Sequence, residues 1–236
     1  MHFNFRTRAA GTRRRHASHR AAVAAWLLVF CVGSPPLAAA ERGQTVLVVG
    51  DSLSAAFGID PEESWVALLG KRLRAKGYGY AVVNASITGD TTTGGLKRLP
   101  RALEVHRPAI VIIELGGNDG LRGTPIPVMR ANLGRMIELS RAAGARVVLA
   151  GMQIPVNYGG PYTRSFAAVY PALAREYRVG LVEFFLAGIA LDDRLFQADG
   201  IHPTAEAQPI LLENLWPVLD KELKALKAPA TPKTAG

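Results

Sequence analysis

The residues best suited to chemistry in this sequence begin with a serine that follows a short apolar run. The stretch GDSLSAAFG, residues 50–58, comes directly after TVLVV and contains Ser52. A serine hydroxyl can attack an acyl carbonyl when a neighbouring base takes its proton. A Gly-Asp-Ser sequence after a strand is also typical of a turn or a helix cap. Ser52 therefore has two interpretations, a nucleophile or part of a turn.

Two histidines outside the N-terminal segment are available as a base for Ser52. The other three of the five lie within the first 40 residues (His2, His16 and His19). His106, in ALEVHRP, has the context of a helix end, where a histidine is ordinary. His202 lies in DGIHP, three residues after Asp199, and a tight turn there can place the carboxylate on one ring nitrogen and leave the other free. His202 is the candidate base, and a surface turn histidine is the alternative.

Two further polar clusters follow apolar runs in the same way. Thr88-Gly89-Asp90 follows the second run, and Gly116-Gly117-Asn118-Asp119 follows the third. Each cluster taken alone is ordinary turn chemistry, because Asn and Asp favour turns and Gly89 can supply a backbone with positive φ.

Five apolar runs predict the strands that would position these clusters. They are rich in Val, Ile and Leu without alternation, which is typical of strands buried on both faces of a parallel sheet. Because helical patterns separate the runs, the sequence predicts an α/β fold, a three-layer α/β/α sandwich. Ligands bind such sheets outside the carboxyl ends of the strands, where the polar clusters fall. The runs are residues 44–50, 80–86, 109–116, 145–151 and 179–185.

The clearest predicted helix lies between the first two strands. Asp60 has the position of an N-cap, Pro61 follows at the first helical position, and Glu63 completes a capping box. An apolar stripe runs along this helix, and Gly77 ends it. The stripe consists of Trp65, Leu69 and Leu73.

Three more helices are predicted further along the chain. Apolar positions from 126 to 137 indicate one that ends before Gly144, and residues 162–177 and 204–226 supply two others. Pro209 and Pro217 leave the boundaries of the last helix open.

Residues 1–40 have the pattern of a secretory signal peptide, with a cut after Ala40. Six arginines without an acid precede the apolar stretch 21–32, and small residues follow it. That stretch is shorter than the roughly 20 residues that span a bilayer, although an uncleaved anchor is the alternative. The sequence therefore predicts export to the periplasm or beyond, a domain over residues 41–227 with no membrane span, and a flexible tail at 228–236.

Charge and cysteine content narrow the function classes. Removing the six arginines of the first 40 residues leaves 22 basic and 19 acidic residues, so the basic character belongs largely to the signal and does not indicate nucleic-acid binding. The one cysteine, Cys31, lies in the signal, which excludes a thiol nucleophile and a thiolate metal site in the mature chain. The sequence contains no G-x-S-x-G, H-E-x-x-H or G-x-x-x-x-G-K motif. These observations predict a site that uses neither a cofactor nor a metal.

The four clusters in this order resemble the SGNH (GDSL) hydrolase superfamily, in particular its bacterial secreted branch of acyl-CoA thioesterase, lysophospholipase and arylesterase enzymes. The match covers nearly all of the mature chain, and the blocks that carry it are GDSLS, NASITGDT, ELGGNDGLRG and DGIHP. One departure is Thr88, where serine is frequent in that branch. The resemblance implies a flavodoxin-like five-stranded parallel sheet.

The resemblance also implies a role for each matching residue. Ser52 would attack the acyl carbonyl, His202 would take and return its proton, and Asp199 would hold the ring in the useful tautomer. The oxyanion would be held by the backbone N–H groups of Ser52 and Gly89 and by the side-chain amide of Asn118. Asp51 and Asp119 are expected to brace turns.

The resemblance implies a range of small-molecule substrates: aryl esters, short to medium acyl esters, thioesters and lysophospholipids. The predicted loop 153–166 mixes apolar and small residues, and from it Ile154, Pro155 and Tyr158 are predicted to line the acyl chain. An ordinary connection is the alternative for this loop. The alternatives for the whole protein are a carbohydrate deacetylase of the same superfamily and a secreted binding module without catalysis. The protein is expected to be a monomer.

Overall fold

The computed structural model describes residues 44–227, which form a five-stranded parallel sheet with helices on both sides. The strand order is β2-β1-β3-β4-β5, which confirms the predicted α/β/α sandwich and its flavodoxin-like sheet. The predicted signal peptide, 1–40, and the predicted tail, 228–236, lie outside the described residues. The strands are β1 (Thr45–Gly50), β2 (Ala81–Asn84), β3 (Ile110–Glu114), β4 (Arg146–Ala150) and β5 (Gly180–Val182).

Two groups of helices cover the sheet. Helices α1 (Trp65–Ala75) and α6 (Gln208–Lys227) pack against each other, while α4 (Ile126–Ala142) packs between α2 (Thr92–His106) and α5 (Gly160–Tyr177). The side chains of the two central strands β1 and β3 are almost wholly buried between these layers. Continuous apolar runs were the right signal for these strands because both of their faces are covered.

The edge strand β5 is shorter than predicted. It ends at Val182. Beyond that residue the backbone N–H of Gly151 donates to the carbonyl of Val182 and the N–H of Phe185 donates to the carbonyl of Gly151, so these bonds pass over residues 183 and 184. A Cβ on Gly151 would lie 2.4 Å from the carbonyl oxygen of Glu183, so the backbone of Glu183 approaches this closely only because residue 151 is a glycine. The regular strand therefore stops at Val182, although residues 183–185 are apolar in part.

The first helix begins later than predicted. Asp60 accepts from the N–H of Glu62 and caps only the 3₁₀ turn Pro61–Glu63. Ser64 is the N-cap of α1, since its hydroxyl accepts from the N–H of Ala67. The predicted capping box with Glu63 is wrong, because Asp60 and Ser64 each cap an element of their own, the first a 3₁₀ turn and the second a helix. The apolar stripe and the end at Gly77, where φ is +70°, are as predicted.

Two further segments differ from prediction. The loop predicted at 153–166 contains the 3₁₀ turn Val156–Tyr158, and α5 already begins at Gly160. The last helix begins at Gln208 after the 3₁₀ turn Ala205–Ala207. Within residues 44–227, no helix is long and apolar enough to cross a membrane.

Candidate active site

Ser52 and His202 meet at the carboxyl edge of the sheet although 150 residues separate them. Ser52 lies in the turn that follows β1, and His202 lies in the connection between β5 and α6. The Oγ atom of Ser52 and Nε2 of His202 are 2.9 Å apart, which is hydrogen-bond distance. Nδ1 of the same ring is 2.6 Å from Oδ2 of Asp199. The structure thus joins the three residues in the order serine, histidine, aspartate.

Asp199 is held as a carboxylate by donors from its own turn. Its Oδ1 atom accepts from the backbone N–H groups of Ile201, at 2.9 Å, and His202, at 3.0 Å. The backbone N–H and the ring of His202, together with the N–H of Ile201, lower the pKa of Asp199 to about 2. An ionised Asp199 facing Nδ1 favours the ring form with a proton on Nδ1, which leaves Nε2 as an acceptor for the Ser52 hydroxyl.

Asp51 braces the turn that presents Ser52. Its carboxylate accepts from the N–H of Leu53 at 3.1 Å, and its carbonyl accepts from the N–H of Ala55 at 2.9 Å. Burial raises the pKa of Asp51 to about 6, although the bonds from Leu53 and Asn118 act in the opposite direction. The prediction of a bracing role is confirmed by these contacts.

A buried glutamate beneath this turn was not predicted. Glu114, the last residue of β3, is fully buried, and its Oε2 atom accepts from the hydroxyl of Ser54 at 2.6 Å and from the N–H of Asp51 at 3.4 Å. Burial, with the charge of Asp51 adding to it, raises the pKa of Glu114 well above its usual range. A Cβ on Gly50 would lie 2.7 Å from Oε2, so glycine leaves room for the acid. The signal for Glu114 was present, as a single acid inside an otherwise apolar run.

Hydrogen bonds connect Asn118 and the turn at Gly89 to the turn that carries Ser52. The Nδ2 atom of Asn118 donates to Oδ2 of Asp51 at 3.1 Å and to the carbonyl of Asp90 at 2.9 Å. Gly89, the residue before Asp90, has φ of +76°, which favours glycine.

Arg98 pairs with the carboxylate of Asp90 at 2.8 Å and also donates to the carbonyl of Gly50 at 3.0 Å. Arg98 therefore fixes the Gly89 turn against the end of β1.

Asp119 braces the fold, and His106 lies away from the triad. Asp119 is buried and accepts from both the N–H, at 2.8 Å, and the hydroxyl, at 2.6 Å, of Thr92. It thereby ties the short helix α3 (Gly117–Leu121) to the start of α2. His106 is the last residue of α2, just before β3 begins, which places it at the amino edge of the sheet.

The three residues predicted to line an acyl chain differ in exposure. Pro155 is exposed, and Tyr158 is 40% exposed in the 3₁₀ turn before α5. Ile154 is 8% exposed, and a Cβ on Gly120 would lie 2.6 Å from its Cγ2 atom, so Ile154 packs into the wall beneath. Within residues 44–227, no group of three or more His, Cys, Asp or Glu side chains could hold a metal ion.

A serine, histidine and aspartate joined in this way at the carboxyl edge of a parallel sheet define a serine hydrolase. The chain belongs to the GDSL-like Lipase/Acylhydrolase family, whose pattern matches residues 48–209, and it is an ester hydrolase.

Three curated relatives are similar over most of their length. Esterase TesA of Pseudomonas aeruginosa is 53% identical over 195 residues, which are 83% of this chain and 97% of that protein. An arylesterase of Vibrio mimicus is 43% identical over 84% of this chain and 96% of its own. The thioesterase 1/protease 1/lysophospholipase L1 of Escherichia coli K12 is 42% identical over 79% of this chain and 86% of its own. These relatives confirm the predicted resemblance to thioesterase, lysophospholipase and arylesterase enzymes.

A solved structure supports the fold in the same way. The crystal structure of TesA has a TM-score of 0.74 and 54% identity, and it covers 75% of this chain and 99% of that one.

Proposed function

We propose that this protein is an exported serine esterase that forms an acyl intermediate on Ser52. The observation that carries the proposal is the continuous hydrogen-bonded path from Ser52 through His202 to Asp199. His202 takes the proton of Ser52 as the hydroxyl attacks the acyl carbonyl, and returns it to the leaving oxygen or sulfur. Water then attacks the acyl-Ser52 intermediate with the same base.

The oxyanion of each tetrahedral intermediate is bound, in this proposal, by Ser52, Gly89 and Asn118. The backbone N–H groups of Ser52 and Gly89 and the side-chain amide of Asn118 supply the donors. The two acceptors that Nδ2 of Asn118 already meets, on Asp51 and Asp90, fix the plane of the amide before substrate arrives. An oxyanion competes with the neutral carbonyl of Asp90 for one of these N–H groups, and its full charge favours it over that carbonyl.

The proposed substrates are aryl esters, short to medium acyl esters and thioesters, and lysophospholipids. The names of the relatives, an esterase, an arylesterase and a thioesterase and lysophospholipase, support this range. Large apolar side chains also remain exposed beside the triad, since Phe57 packs on the ring of His202 and Ile201 precedes it in the chain. Such residues suit an apolar acyl or aryl group.

The location and assembly of the protein are part of the proposal. The arginine-rich and apolar pattern of residues 1–40 supports a signal peptide, and with it a periplasmic or secreted enzyme. We further propose that the enzyme acts as a monomer, because all three triad residues come from one chain.

Hydrolysis of p-nitrophenyl esters and labelling by a fluorophosphonate test the proposal. Both are expected in the native protein and lost in Ser52→Ala, while Ser165→Ala, which removes an exposed hydroxyl on α5, keeps both. Turnover that survives Ser52→Ala rules out the acyl-serine mechanism. A series of acyl lengths compared with acetylated sugars then tests the substrate class, and a preference for the sugars would favour a carbohydrate deacetylase.

A further inference from the structure

One side chain, Gln197, joins the two loops that carry the serine and the histidine. The nucleophile loop is defined here as residues 51–58 and the histidine loop as residues 196–203. The Nε2 atom of Gln197 donates to the carbonyl of Phe57, at 2.8 Å, and to the carbonyl of Pro203, at 3.2 Å. Both N–H groups of the amide are therefore used, one on each loop.

The backbone of Gln197 also holds the histidine loop closed. Its N–H donates to the carbonyl of His202 at 2.7 Å, and its carbonyl accepts from the N–H of Gly200 at 2.9 Å. Phe196 and Pro203 form an isolated antiparallel bridge beside these bonds. The loop is thus a closed hairpin, and the side chain of Gln197 is the part that reaches out of it.

The nucleophile loop is shaped to receive this amide. Gly58 has φ of +72°, and a Cβ at this position would lie 2.1 Å from Oε1 of Gln197. Ala56 has φ of +59°, which is unusual for a residue with a side chain. Backbone in this rare conformation persists where its surroundings hold it, and the bond from Gln197 to Phe57 is one such restraint.

The reactive hydrogen bond between Ser52 and His202 cannot fix the distance between the loops throughout the reaction. It breaks when Ser52 is acylated and when His202 gives its proton to the leaving group. The bond from Gln197 to Phe57 involves no reacting atom, so it persists through every step. The ring of Phe57 also lies against that of His202, with centroids 4.3 Å apart, so the position of Phe57 restricts the position of the imidazole ring.

We propose that Gln197 is a positioning residue that keeps His202 in reach of Ser52 by clamping the histidine loop to the carbonyl of Phe57. The inference rests on the proposed roles of Ser52 and His202. Gln197 touches neither substrate nor reacting atoms, and it acts through the geometry of the base. Loss of the clamp therefore lowers the rate of the chemical steps and leaves substrate binding nearly unchanged, because small displacements of a catalytic group have large effects on rate.

Gln197→Met tests the clamp, because methionine has a similar length and donates no hydrogen bond. We expect kcat for a p-nitrophenyl ester to fall on the order of 10-fold with KM within about twofold, and the rate of fluorophosphonate labelling of Ser52 to fall by a similar factor. The control is Asn214→Ala. Nδ2 of Asn214 donates to the carbonyls of Phe185 and Ala187 at 2.9 and 2.8 Å, which is the same chemistry in a loop without the triad. This variant is expected to lose stability and keep kcat.

A second variant keeps the amide and displaces it. Gly58→Ala places a methyl group on the position of Oε1 of Gln197, so it is expected to lower kcat in the same way. If both substitutions act through one clamp, the double variant loses no more than the stronger single variant. Gln197→Leu, which also donates no hydrogen bond, provides the test if Gln197→Met does not fold.

The outcomes separate the clamp from the proposed mechanism. If Ser52→Ala is inactive while a folded Gln197→Met has the native kcat and labelling rate, the clamp is refuted and the triad stands. If KM rises and kcat is native, Gln197 acts on substrate binding and the positioning role is wrong. If Ser52→Ala remains active, the triad and the clamp fail together.

Discussion

The hydroxyl of Ser54 donates a 2.6 Å hydrogen bond to Oε2 of Glu114, so the turn that presents the nucleophile rests on a buried acid. The N–H of Asp51 points to the same oxygen from 3.4 Å. Two acids, Asp51 and Glu114, therefore lie together beneath Ser52 with almost no access to solvent. A buried carboxylate is costly unless donors surround it, and among the described residues Oε1 of Glu114 has no hydrogen-bond partner.

Glu114→Gln is expected to flatten the dependence of stability on pH. Burial raises the pKa of Asp51 to about 6 and that of Glu114 well above its usual range, so the folded protein holds these protons more tightly than the unfolded chain does. Their contribution is fully present below the unfolded pKa values and is lost as pH rises through the folded ones. Native protein should therefore lose more stability than Glu114→Gln between pH 5 and pH 8, as measured by urea midpoints.

The control for this comparison is Glu104→Gln. Glu104 is a solvent-exposed partner of Arg101 on the surface of α2, and exposed pairs contribute little to stability. Its urea midpoints are expected to follow those of the native protein at every pH. Parallel pH dependences for Glu114→Gln and the native protein would show that Glu114 is not the group responsible.

Asp199→Asn is expected to lower kcat by about 10²- to 10⁴-fold with little change in KM. The asparagine oxygen can still accept from the N–H groups of Ile201 and His202, so the turn is kept. Its NH₂ group faces Nδ1 of His202, however, and favours the ring form that has its proton on the wrong nitrogen. The low pKa of Asp199, about 2, means that its carboxylate is ionised across the whole working range, so acid loss of activity does not come from this group.

Asp192→Asn is the matched control for that substitution. Asp192 caps the 3₁₀ turn just before the histidine loop and pairs with Arg194, which lowers the pKa of Asp192 by side-chain hydrogen bonding. This variant is expected to retain kcat within about twofold, because a cap is worth about 1 kcal/mol of stability and no reacting group is touched. Equal losses in the two variants would assign the effect to the loop and not to the triad.

The sequence contained enough to predict the sheet and the triad, for reasons that particular residues show. β1 and β3 are continuous apolar runs because both faces are covered, and their ends carry the Ser52 and Asn118 clusters. Parallel strands bring their carboxyl ends to one edge, so the sequence alone predicts that these clusters lie together. His202 followed by elimination, since few histidines were available.

The exact start of α1 and the hydrogen bonds between distant loops could not be predicted from the sequence. Asp60 and Ser64 both suit an N-cap, and the sequence alone does not decide between them; in the structure Ser64 caps α1, which begins at the buried Trp65. Gln197 carries no sequence signal at all, because its role depends on a carbonyl 140 residues away. The roles of side chains that bind backbone atoms across loops therefore require the structure.

Asn118→Ala is expected to lower kcat by about 10²- to 10³-fold, the usual effect of losing one oxyanion donor. The substitution also removes a hydrogen bond that lowers the pKa of Asp51, so the acid pair beneath the turn becomes harder to ionise. Asn132→Ala is the control, because its Nδ2 donates to the hydroxyls of Thr92 and Thr93 at 3.1 and 3.0 Å, outside the site. Steady-state kinetics with a p-nitrophenyl ester should show the loss in Asn118→Ala alone. A retained kcat would remove Asn118 from the oxyanion site.

The two residues Tyr158 and Ile154 are expected to respond differently to truncation. Tyr158 is 40% exposed, and covering about 50 Å² of its ring with an acyl chain contributes on the order of 1 kcal/mol. Tyr158→Ala should therefore lower kcat/KM for an octanoyl ester by roughly 5- to 10-fold and leave an acetyl ester within about twofold. Ile154 is buried, so Ile154→Ala should instead lower the free energy of unfolding by about 2–4 kcal/mol. Any change in kcat/KM should then be the same for the octanoyl and the acetyl ester. Kinetics over a series of acyl lengths, combined with urea unfolding of both variants, separates these effects. An equal loss for both esters in Tyr158→Ala would show that this side chain does not contact the acyl chain.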